Sequence, residues 1–415
     1  MDEELTDERA RFDEAAYLRL YPDIAKALAA GHIKSGWQHY VEHGRKEGRK
    51  ISDFDADFYL RSYPIAAEEI AAGRAPNAFA HYQTLGRFRG FLANHRAERP
   101  ANAAALPSGF GGLWPDLANA EDVIAGRLEV GQLTAAQAET LRFWSRNGYV
   151  ILERAIPEPV VDAAARDLER AYAGGFTDLK FECHAVGPQQ MAWRPEINQH
   201  AAKALDLHHF SPAVRELMFA DAIANFLALI FQSKAFASQS LGFLRGSAQE
   251  GHQDSAYVAY SIPRQFAASW TALEDVTLGA GELFYYPGSH RWPDFVYAER
   301  FKSVSEAQRM NGDRDIRGDI TRHVQSLEQQ ARQAHMAKMP FAARKGDVLI
   351  WHADLVHGGN PVSQAVTRKS IVTHYCPKHL APLFAEHMQT RLWHHRGHCY
   401  TTSHYAGEPS GLAAS

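Results

Sequence analysis

The period of hydrophobic and polar positions changes along this chain, and each change predicts a different kind of element. At the N-terminal end, short apolar clusters are cut by Gly and Pro: Pro22 suits a first helical turn, Gly31 its end, and Ser35 caps a further helix that stops at Gly44. Thr134 with Gln137 forms a capping box and Gly148 supplies a left-handed cap, which predicts a helix over 135–147. Tyr149-Val150-Ile151-Leu152 then reads as a buried strand, with another helix after Pro159. Beyond Ala235 the pattern shortens to β-like segments separated by turns, at 235–244, 255–260, 266–273, 282–286, 348–351 and 370–375. Many short strands without intervening helices argue for an antiparallel sandwich or jelly roll. A polar insertion at about 292–345 interrupts them and carries a helical run over 326–336. Long insertions of this kind serve as lids or substrate-contacting elements.

Self-comparison reveals a repeat at a constant offset of 42 residues, seen in Phe12-Asp13 and Phe54-Asp55, Tyr17-Leu18 and Tyr59-Leu60, Tyr21-Pro22 and Tyr63-Pro64, His39-Tyr40 and His81-Tyr82, and Gly44-Arg45 and Gly86-Arg87. The repeated aromatics read as core, and the His-Tyr pairs as packing and not as ligands. From about 94 to 112 the chain turns rich in Ala, Pro and Gly, as a linker does. The expected organisation is a small all-α domain of two repeats over 1–98, followed by a larger α+β domain over 99–415.

Bulk properties narrow the function class. With 415 residues, 46% hydrophobic and 22% charged, the composition is ordinary for globular proteins. The net charge of -4 comes without a dense Lys/Arg run, so nucleic acid and anionic membrane are not indicated as partners. Cys183, Cys376 and Cys399 show no Cys-x-x-Cys spacing, which signals neither a disulfide framework nor structural zinc. The start Met1-Asp2-Glu3-Glu4-Leu5 lacks the marks of a signal peptide, and no apolar run reaches membrane-spanning length. The expectation is a cytoplasmic protein acting on a small molecule.

Candidate chemistry lies in Gly251-His252-Gln253-Asp254 and in the stretch from Lys345 to His357. Residues two apart on an extended segment project from one face, so His252 and Asp254 can present an imidazole and a carboxylate to one point. His357, from a distant strand, completes a facial triad that suits non-haem Fe(II) and leaves the opposite metal face open. A His-x-Asp triplet is weak evidence alone, and the chain holds a second, His352-Ala353-Asp354, read here as polar residues at a strand end. The first pair has a third ligand and an anion-binding residue downstream: Arg368, whose guanidinium fork can grip a carboxylate such as the distal one of 2-oxoglutarate. The histidine-rich tail, Trp393-His394-His395-Arg396-Gly397-His398-Cys399, is read as polar surface and not as a second metal site. Arg245, Tyr257, Tyr260 and Arg264 flank the metal segment as possible substrate contacts.

Taken together, His252-x-Asp254, Trp270-Thr271-Ala272-Leu273-Glu274-Asp275, Gly281-Glu282-Leu283, Pro287-Gly288-Ser289-His290, Gly346-Asp347-Val348, His357 and Arg368 resemble the phytanoyl-CoA dioxygenase family of Fe(II)- and 2-oxoglutarate-dependent oxygenases. The resemblance covers most of 130–378. It implies a double-stranded β-helix, a cupin-like jelly roll with flanking helices, in which His252, Asp254 and His357 hold Fe(2+). It further implies that Arg368 holds 2-oxoglutarate, with Trp270 lining its pocket and Ser370 adding a hydrogen bond, and that O2 is the cosubstrate. The expected reaction is hydroxylation of a small-molecule, lipid or glycan-related substrate. Halogenation is not expected, because related halogenases lack the carboxylate that Asp254 supplies. The repeats lie outside the resemblance and offer a surface for a protein partner. Two other classes fit the metal ligands: a cupin-type isomerase or hydrolase using another divalent metal, and a noncatalytic binding module with a structural metal. Arg368 speaks against both.

Overall fold

The computed structural model describes residues 8–82 with short gaps, residues 108–380 apart from 109, 261 and 312–315, residue 382, and residues 391–411. The chain divides into two compact units, Met1–Ala103 and Ala104–Ser415. Most of the expected linker lies outside the described residues. Its last two residues, Gly111 and Gly112, belong to the second unit, where their carbonyls accept hydrogen bonds from Arg264 (3.4 Å) and Gln265 (3.1 Å).

The first unit carries short helices α1 (Pro22–Ala29), α2 (Gly36–His39), α3 (Ala56–Ser62), α4 (Pro64–Ala71) and α5 (Ala78–His81). Equivalent contacts recur in it at the sequence offset. Ser35 caps α2 and Asn77 caps α5, and the buried Tyr17 hydroxyl meets His39 Nδ1 at 3.0 Å while Tyr59 meets His81 Nδ1 at 2.7 Å. Phe12 packs on Tyr17 and Tyr40, and Phe54 on Tyr59 and Tyr82.

The second unit opens with α6 (Ala120–Glu129), α7 (Ala135–Asn147) and α8 (Glu158–Tyr172) and continues through α9 (Pro212–Met218) and α10 (Asp221–Phe231). Its strands are β1 (Tyr149–Leu152), β2 (Lys180–Glu182), β3 (Met191–Ala192), β4 (Lys203–Leu205), β5 (Ala235–Phe243), β6 (Ala267–Ala272), β7 (Leu283–Tyr285), β8 (Met339–Phe341), β9 (Val348–His352), β10 (His357–Gly359), β11 (Ser370–Pro377), β12 (Trp393–His395) and β13 (His398–Tyr400). A large sheet runs β1-β9-β6-β11-β5-β4-β2-β3, and a small one runs β10-β7-β8. Pairing is antiparallel except where β13 joins β5. Alternate residues of β5, β6, β9 and β11 face the helices: Ala237, Ala267, Ile350, Ile371 and Tyr375 pack with α7, α8 and α10. The other face, with Phe243, Trp270, Leu349, Trp351 and Val372, meets Leu283, Tyr285 and Phe341 of the small sheet in a separate core.

Several elements depart from the sequence expectation. Residues 255–260 form no strand; Asp254–Ala256 is a 3-10 turn whose carbonyl at Asp254 accepts from Tyr257 and Val258. Within that stretch Tyr260 makes an isolated bridge to Pro382. β2, β3 and β4 precede Ala235 and are too short to show a period. The insertion ends in β8 and holds α11 (Val304–Asn311) and α12 (Arg317–Gln333), the latter starting well before 326 because His323, Leu327 and Ala331 extend its buried stripe at four-residue spacing. The tail is not plain surface. β12 and β13 form a hairpin around Arg396 (φ 52°) and Gly397 (φ 78°), both left-handed as a type I′ turn demands, and β13 docks on β5. There His398 is buried and accepts from Ala235 N–H at 3.1 Å, while His395 contacts Glu216 at 2.8 Å. Among the described residues no helix is long and apolar enough to cross a membrane.

Gly148 closes α7 at φ 74°, with its N–H on Trp144 O. A Cβ there would lie 2.4 Å from Nδ1 of the buried His290 ring. Gly148→Ala therefore adds overpacking to the left-handed strain and is expected to destabilise the protein by about 2 kcal/mol or more in denaturant titration. A loss below about 0.5 kcal/mol would show that the His290 ring yields freely.

Candidate metal centre

His252 and His357 are joined by two reciprocal backbone hydrogen bonds, His252 N to His357 O at 2.9 Å and His357 N to His252 O at 3.0 Å. This bridge extends the small sheet by one residue pair, because β10 is also paired with β7. The two imidazoles stand side by side with centroids 4.5 Å apart. Gln253 is extended (φ -110°, ψ 131°), so Asp254, at the start of the 3-10 turn, points the same way as His252. One nitrogen or oxygen from each of His252, Asp254 and His357 falls within 4.8 Å of the others.

Both rings are set in the same tautomer. Nδ1 of His252 lies 2.9 Å from Glu250 O, and Nδ1 of His357 lies 2.9 Å from Leu355 O. A carbonyl only accepts, so each Nδ1 carries the proton and each Nε2 presents a lone pair, that of His252 also meeting the Gln249 side-chain amide at 3.3 Å. Those two Nε2 atoms face Asp254 Oδ1, each at 3.6 Å. This is the donor set a divalent cation requires: neutral imidazoles whose far nitrogens are already tied to backbone. Burial alone would raise the Asp254 carboxyl, but His357, His374 and His252 beside it hold it well below the usual carboxylate range. Burial pushes His357 down to about 4, so it is neutral at physiological pH.

The opposite carboxylate oxygen is held from the large sheet. Trp351 Nε1 donates to Asp254 Oδ2 at 2.8 Å, and His374 Nε2 approaches it at 3.3 Å. Neither residue was singled out from the sequence; once Ser370 is placed on the inner face of β11, the two-residue period puts Val372 and His374 there as well.

Arg368 enters the same core. Its guanidinium lies 5.6 Å from the Trp270 ring and 5.8 Å from the Phe243 ring, and it is 3% exposed. Nη1 donates to Gly281 O at 2.6 Å, and no carboxylate among the described residues forms an ion pair with it. Burial lowers its pKa to about 10, which leaves it charged. Arg368 Nε, Ser370 Oγ and Trp270 Nε1 are all buried without a hydrogen-bond partner among the described residues. Two orphaned donors, with the unused Nε of the buried Arg368 cation, are groups that an anion with several acceptor oxygens would satisfy.

The second His-x-Asp motif does stand at a strand end, β9 finishing at His352, but both of its polar residues are buried. His352 pairs with Asp116 at 3.2 Å. Asp354 receives Arg264 at 2.6 Å and Lys302 at 3.2 Å on one oxygen and the Ser255 hydroxyl on the other. Gln253 donates to the Asp354 carbonyl at 2.8 Å, so both neighbours of Asp254 are tied to Asp354. Arg264 is thus structural, as is Tyr260, buried with its hydroxyl on Ser238 at 2.5 Å. Arg245 donates to the carbonyls of Asn198 (2.7 Å) and Val366 (3.3 Å). Tyr257, half exposed with its ring 5.9 Å from that of His252, is the flanking candidate that stays at the metal centre.

The family model for phytanoyl-CoA dioxygenase (PhyH) matches residues 144–370, a span that contains the three converging ligands and Arg368. The chain belongs to the phytanoyl-CoA dioxygenase family. That family comprises Fe(II)- and 2-oxoglutarate-dependent dioxygenases. Phytanoyl-CoA dioxygenase 1 of Oryza sativa subsp. japonica is 24% identical over 172 residues, 40% of this chain and 54% of the rice protein. The chain spans about half the length of that curated relative. Among solved structures, the epimerase SnoN from nogalamycin biosynthesis, in complex with Fe3+, alpha ketoglutarate and nogalamycin RO, is 20% identical over 60% of this chain and 86% of its own, with a TM-score of 0.46. EctD from S. alaskensis with 2-oxoglutarate and 5-hydroxyectoine is 17% identical over 59% and 77%, with a TM-score of 0.43.

Burial holds four histidines far below the usual imidazole pKa of about 6.5: His290 at about 3, and His323, His357 and His398 at about 4. Below pH 6.5 the unfolded chain takes up protons that these folded sites refuse, so stability is full above that pH and declines from there toward pH 4. Melting curves of metal-free protein should show a progressive fall in Tm from pH 7.5 to pH 5. A Tm that stays level across that range contradicts the burial of these rings.

Proposed function

We propose that this protein is an Fe(II)- and 2-oxoglutarate-dependent dioxygenase that hydroxylates a small-molecule, lipid or glycan-related substrate. The observation that carries the reading is the convergence of two Nε2 lone pairs and Asp254 Oδ1 in the same core as a buried, ion-pair-free Arg368. His252, Asp254 and His357 would hold the iron, and Arg368 would grip the distal carboxylate of 2-oxoglutarate with Ser370 and Trp270 as further donors. The bound iron and cosubstrate supply the oxidising power, drawn from O2, that no side chain has. The protein's share is placement: Trp351 and His374 orient the carboxylate, the Nδ1 contacts aim the imidazoles, and the apolar residues between the sheets exclude water. A cupin-type isomerase or a noncatalytic metal module leaves Arg368 without a task.

In this reading the two sheets are the halves of a double-stranded β-helix. β5, β11, β6 and β9 form one half, and the segment ending at His252 with β10, β7 and β8 forms the other. Residues 1–98 form a separate helical repeat module that positions the enzyme on a protein partner or polymeric substrate. The three cysteines are free and buried, which fits a reducing cytoplasm.

Anaerobic titration of the Fe(II)-loaded protein with 2-oxoglutarate, followed by the weak visible band of the chelate, tests the reading. A band should develop in the parent protein, and its absence would end the proposal. His357→Ala should abolish succinate formation. Arg368→Lys keeps the charge and loses the fork, and should raise the 2-oxoglutarate concentration required by about thirtyfold, equivalent to about 2 kcal/mol. An unchanged requirement removes Arg368 from the pocket.

The module is tested separately by expressing residues 100–415 and measuring iron-dependent succinate formation without prime substrate. Retained turnover is expected. A folded, iron-loaded fragment with no turnover would show that the repeats help to build the active site.

A further inference from the structure

Four side chains lie in one row across the inner face of the large sheet. Register places Gln239 of β5 opposite His374 of β11, His374 opposite Ala268 of β6, and Ala268 opposite Trp351 of β9. Partners in antiparallel register share a face, so all four point toward the small sheet. Ala268 leaves a gap in the row, and over it His374 and Trp351 reach the same atom, Asp254 Oδ2, at 3.3 Å and 2.8 Å. The proton positions follow along the row. Gln239 Nε2, a donor, lies 3.1 Å from His374 Nδ1, which must therefore accept; His374 Nε2 then carries the ring proton and donates it to Asp254. His374 is 3% exposed. It does not join the three converging ligands, so its place is behind the carboxylate.

We propose that His374 is a positioning residue that, oriented by Gln239 and acting with Trp351, keeps Asp254 a monodentate metal ligand. This rests on the reading of His252, Asp254 and His357 as the metal site. Two N–H donors on Oδ2 occupy the lone pairs through which a freely rotating carboxylate would chelate the metal with both oxygens. A two-oxygen grip would fill a coordination position that 2-oxoglutarate or O2 needs. With Oδ2 held back, Oδ1 alone faces the two Nε2 atoms and the remaining positions stay open. The device also explains a polar row inside a core that is otherwise apolar at the next inner positions, Leu241, Val372, Trp270 and Leu349.

The test uses Co(II) as a spectroscopic probe, titrated into metal-free full-length protein, first alone and then with 2-oxoglutarate. His374→Leu fills the volume without a donor, while His374→Gln restores an N–H at the position of Nε2. The expected result is binding of 2-oxoglutarate to the Co(II) form weakened tenfold or more in the Leu variant, as the second carboxylate oxygen takes a coordination position, and recovery to within about threefold of the parent in the Gln variant. A Leu variant that binds Co(II) and 2-oxoglutarate like the parent overturns the proposal. So do Leu and Gln variants weakened equally, because His374 then acts only by filling space. Should the Leu variant fail to fold, Gln239→Leu decides, since it removes the group that fixes the His374 tautomer and should weaken 2-oxoglutarate binding to the Co(II) form severalfold; parental affinity there counts against the proposal. If the parent protein itself fails to bind Co(II), it is the metal-site reading that falls, and the proposal with it.

Discussion

The centre depends on two backbone hydrogen bonds, those that tie His252 to His357. Imidazoles from segments far apart in sequence acquire a fixed spacing through main-chain geometry, with no help needed from side-chain packing. The close approach is possible because the facing strand is nearly bare. A Cβ at Gly358 would stand 2.6 Å from Gln249 O. One extended residue, Gln253, then carries the carboxylate into place, and the Nδ1 contacts finish the aim of both rings. A metal ion held by these side chains would meet ligands whose ordering cost was met during folding.

Behind the bridge sits a buried charge cluster. Asp354, Arg264 and Lys302 are almost fully enclosed, and isolated burial of any one of them would be strongly unfavourable. Together they neutralise one another and connect three regions: the loop after β9, the approach to β6, and the insertion between β7 and β8. Burial would raise the Asp354 carboxyl, but Lys302 and Arg264 keep it ionised far below its ordinary range. Because Asp354 also holds Ser255 and the Gln253 amide, the insertion and the metal loop are mechanically one piece. Ala256, one turn from Asp254, belongs to the insertion's own apolar cluster with Tyr297, Ala307 and Ile316, which strengthens that link.

The convergence of His252, Asp254 and His357 was legible from the order of His-x-Asp, a distant histidine and Arg368 along the chain, since the triplet alone is common. The helix over 135–147 was legible from its two caps, and the longer strands from their length. What stayed hidden depended on register. His374 and Trp351 look like ordinary core positions until β11 is laid between β5 and β6 and one sees that both point at Asp254. His352-Ala353-Asp354 is identical in pattern to His252-Gln253-Asp254, and only the three-dimensional partners, Asp116 for one and Lys302 with Arg264 for the other, show that it braces the site. The C-terminal hairpin did carry a local signal in Arg396-Gly397, a pair able to adopt two consecutive left-handed conformations, but a tract crowded with histidines reads as polar surface. The three-residue strands β2, β4 and β8 are too short for any period to register.

The placement of β11 has a consequence for biosynthesis. It lies between β5 and β6 in the large sheet, yet it is translated after both of them and after β9, with only the β12–β13 hairpin of that sheet still to come. Until residues 370–377 leave the ribosome, β5 and β6 have no strand between them and their apolar faces stay uncovered. Sheet closure is therefore a late, long-range event governed by loop entropy, while the short-range helical N-terminal unit can form early. Between the emergence of β6 and that of β11 the large sheet is open, and this interval of elongation is when its apolar faces most need chaperone protection.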